Sequence, residues 1–296
     1  MGLLDTSLMK LKRLLSSLLG TYLIVWLAAI TYLSLRQRQI LYHPTAEGTR
    51  TPAQFAVPFE EVDIATADGV SLHGWWVPAD TLPGQRPVTL VYYHGNGGNL
   101  ADRAHVIPLF HSQHWNVLMA TYRGYGRSSP SGSDGAGITE AGIYRDAQAM
   151  YEWASRKLPD DVLILWGHSL GAAISARVAT QNPDAAALIL ESPFSSVLDM
   201  ARFRYPWLYI PPLLVTERYP TIDYVRMRQM PLLVMSAQSD STIPPLMGER
   251  VFAAANEPKS FHALTGVEHN NFPDFFAAHS AFLADGVTAA ITNKNS

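Results

Sequence analysis

One pentapeptide in this chain has the residue types that nucleophilic catalysis requires. Gly167-His168-Ser169-Leu170-Gly171 matches G-x-S-x-G, in which a serine stands on a sharp turn between small residues. The preceding VLILW is typical of a buried strand and the following GAAISARVA of a helix, a context that lifts the hydroxyl above a sheet. The pattern predicts that Ser169 is a nucleophile at a helix N-terminus, whose positive end faces developing negative charge.

A serine hydroxyl is a weak nucleophile, so it needs a base that is itself oriented by an acid. The chain order Ser, Asp, His selects Asp240, at the end of the apolar run PLLVMSAQSD, and His269 in GVEHNNF. Asp240 falls at the carboxyl end of a predicted strand, where sites gather in open α/β sheets. We therefore predict Ser169, Asp240 and His269 as a catalytic triad.

Other histidines and aspartates are alternatives for the base and the acid. His262 stands inside the last predicted strand, and His279 in the middle of a helix predicted to begin near Pro273. His168 is beside the nucleophile but is directed away by the tight turn, and His94 is in a Gly-rich loop with a structural role. The two alternative acids, which do not end a strand, are Asp199 and Asp223.

Acyl transfer places negative charge on a substrate oxygen, and each backbone N–H aimed at that position contributes roughly 3–4 kcal/mol. One predicted donor is the N–H of Leu170, directly after the nucleophile. The second comes from the loop HGNGGN after the third strand, where we favour the N–H of Asn96. An alternative interpretation of this loop is a tight strand-to-helix turn that needs glycine. The two interpretations are compatible, because such a turn would direct the Asn96 amide toward the oxyanion.

The elements that must position these groups alternate between strand and helix. A hairpin is predicted around Asp68-Gly69, since this dipeptide is a strong turn signal. Continuous apolar runs indicate strands buried on both faces of a parallel sheet; they are PVTLVYYHG, NVLMATYRG, VLILWGHS, AAALILES and PLLVMSAQSD. Helical stretches lie between them, so we predict a doubly wound, mostly parallel α/β sheet opened by an antiparallel hairpin.

Composition narrows the range of functions. Lys and Arg number 22 against 25 Asp and Glu, and without a basic excess nucleic acid is not an expected partner. The absence of cysteine excludes disulfides, cysteine metal sites and a cysteine nucleophile. Histidines and acidic residues do not cluster at ligand spacings, so neither a metal nor a cofactor is expected. Composition leaves the oligomeric state undecided.

The N-terminal segment 14–35 is apolar and uncharged between Arg13 and Arg36. Its 22 residues reach roughly 33 Å as a helix, enough for a bilayer core. We predict an anchor over 1–40 with a transmembrane helix at about 14–35, followed by a catalytic domain over 41–296. A cleaved signal peptide and a buried core helix are the alternatives.

Charges flanking this segment bear on its orientation. Lys10, Lys12 and Arg13 precede it, whereas Arg36 and Arg38 follow it. This small excess favours an N-terminus in the cytoplasm and a catalytic domain on the non-cytoplasmic side.

Several ordered motifs over roughly 40–280 resemble one family. HGNGGN, TYRGYGRSS, GHSLGAA, ESPFSS, SAQSDSTIP and VEHNN are similar to those of membrane-anchored α/β-hydrolase domain proteins related to the yeast and plant Bem-like hydrolases and bacterial YfhR, a group that includes depalmitoylases and lipid esterases. The resemblance implies an α/β-hydrolase fold with a short cap, the triad above, Asn96 and Leu170 as oxyanion donors, and a structural role for Tyr122–Gly126. Members often have Asp where this chain has Thr121.

The substrate is the open question of the sequence. About 38 residues lie between Ser192 and Pro231, and they include the aromatic, apolar FRYPWLYIPPLLVTERYP. This insert is interpreted either as ordinary helix packing on the sheet or as an apolar, membrane-facing wall for an acyl chain. We favour hydrolysis of a small-molecule or lipid-like acyl ester or thioester through an acyl-enzyme. An S33-type serine peptidase and an inactive, membrane-tethered binding protein are the alternatives.

Overall fold

The computed structural model describes residues 2–133, 135 and 137–270, with only the backbone for residues 2–6. His279 and the helix predicted near Pro273 lie outside the described residues. The strands are β1 (His43–Pro44), β2 (Glu60–Ala65), β3 (Ser71–Val77), β4 (Val88–Tyr93), β5 (Gly97–Gly98), β6 (Trp115–Ala120), β7 (Val162–His168), β8 (Ala187–Glu191), β9 (Leu232–Ala237) and β10 (Lys259–Leu264). The α-helices are α1 (Gly2–Leu41), α2 (Ile107–His111), α3 (Glu140–Lys157), α4 (Leu170–Gln181), α5 (Val197–Arg204), α6 (Thr221–Met227) and α7 (Pro245–Ala254), and 3₁₀ helices cover Pro52–Phe55, Ala101–Val106 and Pro212–Leu214.

Eight strands form one sheet in the order β10-β9-β8-β7-β4-β6-β3-β2. The strand β3 is antiparallel to both β2 and β6, and the other neighbouring strands are parallel. The turn between β2 and β3 carries Gly69 at φ +83°, a conformation that glycine adopts without steric cost. The predicted doubly wound sheet with an antiparallel hairpin at its start is confirmed.

The strand β7 illustrates why the apolar runs form the centre of the sheet. Every residue in it is buried. Leu163 and Leu165 join the core cluster on one face, whereas Ile164 and Trp166 join the cluster on the other. Side chains of a strand alternate between faces, so a strand covered on both sides must be apolar throughout.

The helix α3 shows how local signals set helix bounds. Thr139 caps it, since its hydroxyl accepts a hydrogen bond from the N–H of Gly142 at 3.0 Å. Its buried stripe includes Ile143, Ala147, Met150 and Ala154, at the spacing of one helix face. That stripe packs in the same cluster as α4, which places α3 beside the helix that follows the predicted nucleophile.

Among the described residues, α1 is the one helix whose length and composition would allow it to cross a membrane. The predicted segment 14–35 lies within it, and the predicted division after residue 40 falls in its last turn. The end of α1 is tied to the insert between Ser192 and Pro231, at a point just before α6. Arg38 pairs with the buried carboxylate of Glu217 at 2.8 Å, and the Tyr42 hydroxyl donates to the same carboxylate at 2.6 Å. These contacts hold the helix against the domain.

Candidate active site

Ser169 occupies a sharp turn between β7 and α4. Its backbone lies at φ 56° and ψ −116°, a strained conformation for a residue with a side chain. The chain passes so close to its neighbours here that a Cβ on Gly171 would lie 1.9 Å from the Tyr93 carbonyl oxygen, and one on Gly167 2.1 Å from that of Gly171. The glycines of the motif are therefore required by close backbone approach, and the turn projects Ser169 at the carboxyl end of the sheet.

The structure brings the three predicted triad residues together. The Ser169 hydroxyl lies 3.0 Å from Nε2 of His269, and Nδ1 of His269 lies 2.7 Å from Oδ2 of Asp240. All three residues are buried. Because an ionised carboxylate only accepts hydrogen bonds, Nδ1 carries the imidazole proton, and Nε2 is left free to accept the proton of the serine. This is the arrangement that a general base requires.

Asp240 stands three residues beyond the end of β9 at Ala237, rather than at the strand end itself. Its Oδ1 accepts hydrogen bonds from the N–H groups of Thr242 and Ile243 at 2.9 and 2.7 Å. Burial raises the pKa of Asp240, but hydrogen bonds from His269 and from these two amides outweigh it and hold the pKa below its ordinary value. The carboxylate stays ionised and oriented toward the imidazole.

His168, which the sequence predicted to be directed away from the site, contacts the proposed base His269. Its Nε2 donates a hydrogen bond to the carbonyl oxygen of His269 at 3.0 Å, and the two rings lie 5.0 Å apart. Burial lowers the pKa of His168 to about 3, so the ring is neutral and its proton sits on Nε2. The two residues are far apart in the chain, and no motif in the sequence signals this contact.

Both predicted oxyanion donors line the same cavity as Ser169. Leu170 is the first residue of α4, so its N–H has no acceptor within the helix. The side-chain amide of Asn96 donates a hydrogen bond to the Leu41 carbonyl oxygen at 3.0 Å. The backbone carbonyl of Asn96 accepts hydrogen bonds from the N–H of His43 and from the Tyr125 hydroxyl. These contacts engage the side chain and carbonyl of Asn96 but not its N–H, which is the group the prediction requires.

Aromatic rings support the loop that carries Asn96. The His94 ring packs with its centroid 4.2 Å from that of Tyr122 and 5.4 Å from that of Tyr125. The Tyr122 hydroxyl donates to the carbonyl oxygen of His94 at 3.0 Å. Burial lowers the pKa of His94 to about 3, so this ring is a neutral packing element.

Arg123, between these tyrosines, is almost wholly buried and is paired on two sides. Its guanidinium contacts Asp146 of α3 at 2.7 Å and Asp68 of the β2–β3 turn at 2.8 Å, and Arg145 also pairs with Asp68. A buried charge needs such partners. These ion pairs join the loop after β6 to α3 and to the β2–β3 turn. Sequence reasoning placed Asp68 only in the turn and missed this role.

The remaining described alternatives, which are His262, Asp199 and Asp223, lie on other elements of the fold. His262 is in β10, Asp199 in α5 and Asp223 in α6. Within the part of the chain that the structure describes, no group of three His, Asp or Glu side chains could hold a metal ion.

An apolar cavity of about 540 Å³ lies over Ser169. Three segments line it: the loops around the triad, the insert with α5, and the last turns of α1. The insert packs on the rest of the fold and also lines the cavity. Its α6 packs against α4 as an ordinary helix of the fold, whereas Met200 of α5 and Ile210 face the cavity.

Comparisons with known proteins agree with this architecture. A family model described as the alpha/beta hydrolase fold matches residues 88–219. An uncharacterized protein of Mycobacterium tuberculosis, Rv2307c, is 36% identical over 82% of this chain and 83% of its own length. The protein bem46 of Schizosaccharomyces pombe is 30% identical over 89% of this chain and 91% of its own length.

A more distant relative and a solved structure carry names that describe an activity. The lysophosphatidylserine lipase ABHD12 of Danio rerio is 27% identical over 58% of this chain and 48% of its own length. An esterase of Pyrococcus furiosus superimposes with a TM-score of 0.66 over 85% of this chain and 98% of its own, at 18% identity. At that identity the superposition establishes likeness of fold.

Proposed function

This chain belongs to the α/β-hydrolase family, as its ordered motifs predicted, and we propose that it is a serine hydrolase of acyl esters or thioesters anchored to a membrane by α1. The observation that carries the proposal is the hydrogen-bonded chain from Ser169 through His269 to Asp240, with links of 3.0 and 2.7 Å. A nucleophile, a base and an orienting acid in direct contact are the groups that acyl transfer requires.

The reaction proceeds in two halves through a covalent acyl-enzyme. Ser169 Oγ attacks the substrate carbonyl carbon while Nε2 of His269 takes the hydroxyl proton, and the leaving alcohol or thiol then receives that proton. Water attacks the acyl-enzyme with His269 again as base, which releases the acid and restores Ser169. Asp240 keeps its charge throughout and stabilises the imidazolium.

The tetrahedral intermediate of each half carries a negative oxygen. We assign the N–H groups of Leu170 and Asn96 as its hydrogen-bond donors. The assignment of Leu170 is supported by its position as the first residue of α4, where the positive end of the helix also faces the oxyanion.

An acyl substrate is favoured by the character of the cavity. Its wall is mainly apolar, with side chains such as Leu33, Phe194, Met200 and Ile210. The described lining contains no carboxylate that would hold the amine of a peptide substrate. The relative ABHD12 is named as a lipase, and this supports the same class of substrate here. We therefore favour a lipid-like acyl ester.

We place the catalytic domain on the non-cytoplasmic side of the membrane. Lys10, Lys12 and Arg13 precede the apolar segment, and of the two arginines after it Arg38 is already paired with Glu217. Three positively charged side chains thus precede the segment and two follow it, which favours an N-terminus in the cytoplasm. The chain lacks cysteine, so a single cysteine at exposed Leu82 offers a clean test with a membrane-impermeant maleimide on intact cells. Labelling without lysis agrees with this orientation, and labelling only after lysis contradicts it.

Turnover measurements test the proposed reaction. Purified full-length protein is compared on p-nitrophenyl acyl esters and on aminoacyl p-nitroanilides, with Ser169→Ala as the matched variant. We expect ester hydrolysis in the wild type and a loss of kcat on the order of 10⁶-fold in the variant. Faster cleavage of the anilides identifies a peptidase instead, and absence of turnover on both substrates contradicts the proposed function.

A further inference from the structure

The helix α1 meets the rest of the chain well inside its apolar segment. Nε1 of Trp26 donates a hydrogen bond to the Tyr209 carbonyl oxygen at 2.8 Å. One turn later, Ile30 is buried in a cluster with Leu208 and Ile210 of the insert. We call residues 203–215 of the insert the cap segment. Its contact with α1 begins nine residues before the apolar segment ends at Leu35.

This position conflicts with a cap segment that stands wholly in water. The part of the apolar segment before the first contact, residues 14–25, is 12 residues long. At 1.5 Å per residue it reaches about 18 Å, whereas the hydrocarbon core of a bilayer is about 30 Å thick. If α1 spans the membrane, the cap segment must enter the membrane beside it.

The surface of the cap segment has the composition that such a position requires. Its exposed side chains include Trp207, Tyr209 and Leu213, with exposed fractions of 61%, 65% and 78%. Phe203, at the start of the segment, is exposed by 53%. Aromatic residues of this kind are enriched where a membrane meets water, and soluble proteins seldom expose large contiguous apolar surfaces.

The cavity joins this surface to the nucleophile. Ile30, Leu33 and Ile40 of α1 form part of its wall, and Ser169 and Leu170 lie in the same cavity. Side chains of α5 and Ile210 of the cap segment also line it. A chain that occupies this cavity therefore lies against both α1 and the cap segment and reaches the serine along an apolar path. The occupant that fits this path and this location is the acyl chain of a membrane lipid.

We propose that the cap segment dips into the membrane beside α1 and that the site takes the acyl chain of a lipid directly from the bilayer, with Leu33 of α1 as part of the chain-binding wall. This inference rests on the proposed function for its catalytic step. It makes α1 a component of the substrate site in addition to an anchor.

The depth of the cap segment is measurable without any activity. Single-cysteine variants Leu213→Cys and Leu82→Cys are labelled with a nitrobenzoxadiazole dye, and the full-length protein is placed in phosphatidylcholine vesicles that contain doxyl-labelled lipid. Leu82 is exposed at the opposite, amino edge of the parallel strands and serves as the control. We expect doxyl quenching and iodide protection at position 213 alone. Equal iodide quenching at both positions overturns the proposal, and does so whether or not the protein is a hydrolase.

The role of the wall is tested with two leucines on opposite faces of α1. Leu33 lines the cavity, whereas Leu35 is 78% exposed. We expect Leu33→Trp to lower kcat/KM for a p-nitrophenyl palmitate substrate in vesicles at least tenfold more than it lowers kcat/KM for p-nitrophenyl acetate. Leu35→Trp is expected to change neither rate. Equal effects of the two variants on palmitate overturn the proposal, whereas a wild type inactive on both esters overturns the proposed function instead.

Discussion

His168 donates a hydrogen bond from Nε2 to the carbonyl oxygen of His269, 3.0 Å away. The residue before the proposed nucleophile therefore holds the backbone of the proposed base. This contact joins the end of β7 to the loop after β10, so the distance between Ser169 and His269 does not depend on that loop alone. Because burial keeps His168 neutral, the contact persists through the physiological pH range.

Removal of this hydrogen bond is expected to impair chemistry more than binding. We predict that His168→Ala lowers kcat on the order of 10²-fold with little change in KM, since small misplacements of reacting groups have effects of that size. His168→Gln retains an N–H donor and is expected to recover part of the loss. Steady-state kinetics on one ester test both variants, with His111→Ala on α2 as the control. Equal activity of His168→Ala and the control contradicts a positioning role.

The side chain and the N–H of Asn96 are expected to differ in importance. Asn96→Ala removes the hydrogen bond to Leu41 but keeps the amide, so we predict only a few-fold loss of kcat. Asn96→Pro removes the N–H and is predicted to lower kcat by roughly 10²–10³, the usual cost of one oxyanion donor. Circular dichroism of both variants checks that the fold is retained. A loss of 10² or more in Asn96→Ala places the donor on the side chain instead.

Glu191 is expected to make stability depend on pH. Burial raises its pKa to about 8. The indole N–H of Trp166 donates a hydrogen bond to this carboxyl group at 3.0 Å and partly offsets the effect of burial. Since the folded pKa exceeds the unfolded value, the contribution to stability is full below about pH 4.3 and is lost as the pH rises toward 8. We predict that Glu191→Gln removes this decline of stability with rising pH.

Thermal unfolding in detergent at pH 5 and pH 8.5 provides the test for Glu191. The comparison that matters is the change with pH within each protein, because a fixed effect of the amide shifts both values equally. An identical pH dependence in wild type and Glu191→Gln contradicts a buried, neutral acid at this position.

Gly171, two residues after the proposed nucleophile, is expected to tolerate no side chain. A Cβ on Gly171 meets the Tyr93 carbonyl oxygen at 1.9 Å, and neither backbone can move without a shift of β4 or α4. We predict that Gly171→Ala lowers stability by roughly 3 kcal/mol or more and abolishes activity. Gly20→Ala is the matched control, since a Cβ there has no neighbour within 4 Å. The melting temperatures of the two variants decide the matter, and similar values contradict the geometry of the turn.

The fold was predictable because its main signals are local. The central strands are mainly apolar and almost wholly buried, and the G-x-S-x-G turn lies between the strand β7 and the helix α4. The order of Ser169, Asp240 and His269 followed from the same kind of reasoning, and the structure brings these side chains into hydrogen-bonding contact. Their catalytic roles and the oxyanion assignments remain predictions.

The parts that sequence reasoning missed are contacts between distant segments. Trp26 and Tyr209 are 183 residues apart, and Arg123 and Asp68 are 55 apart. Nothing in the local pattern around Asp68 distinguishes a turn residue from the partner of a buried arginine. Asp240 was placed at the end of its strand, whereas β9 ends three residues earlier and the backbone amides of the following turn fix the carboxylate.

The central claim is that Ser169 is an activated nucleophile. The most direct measurement is mass spectrometry of the full-length protein after reaction with a fluorophosphonate probe, with Ser169→Ala treated in parallel. The account predicts one adduct per chain, located on the peptide that contains Ser169 and absent from the variant. An unmodified wild type, or an adduct that forms equally in Ser169→Ala, contradicts it.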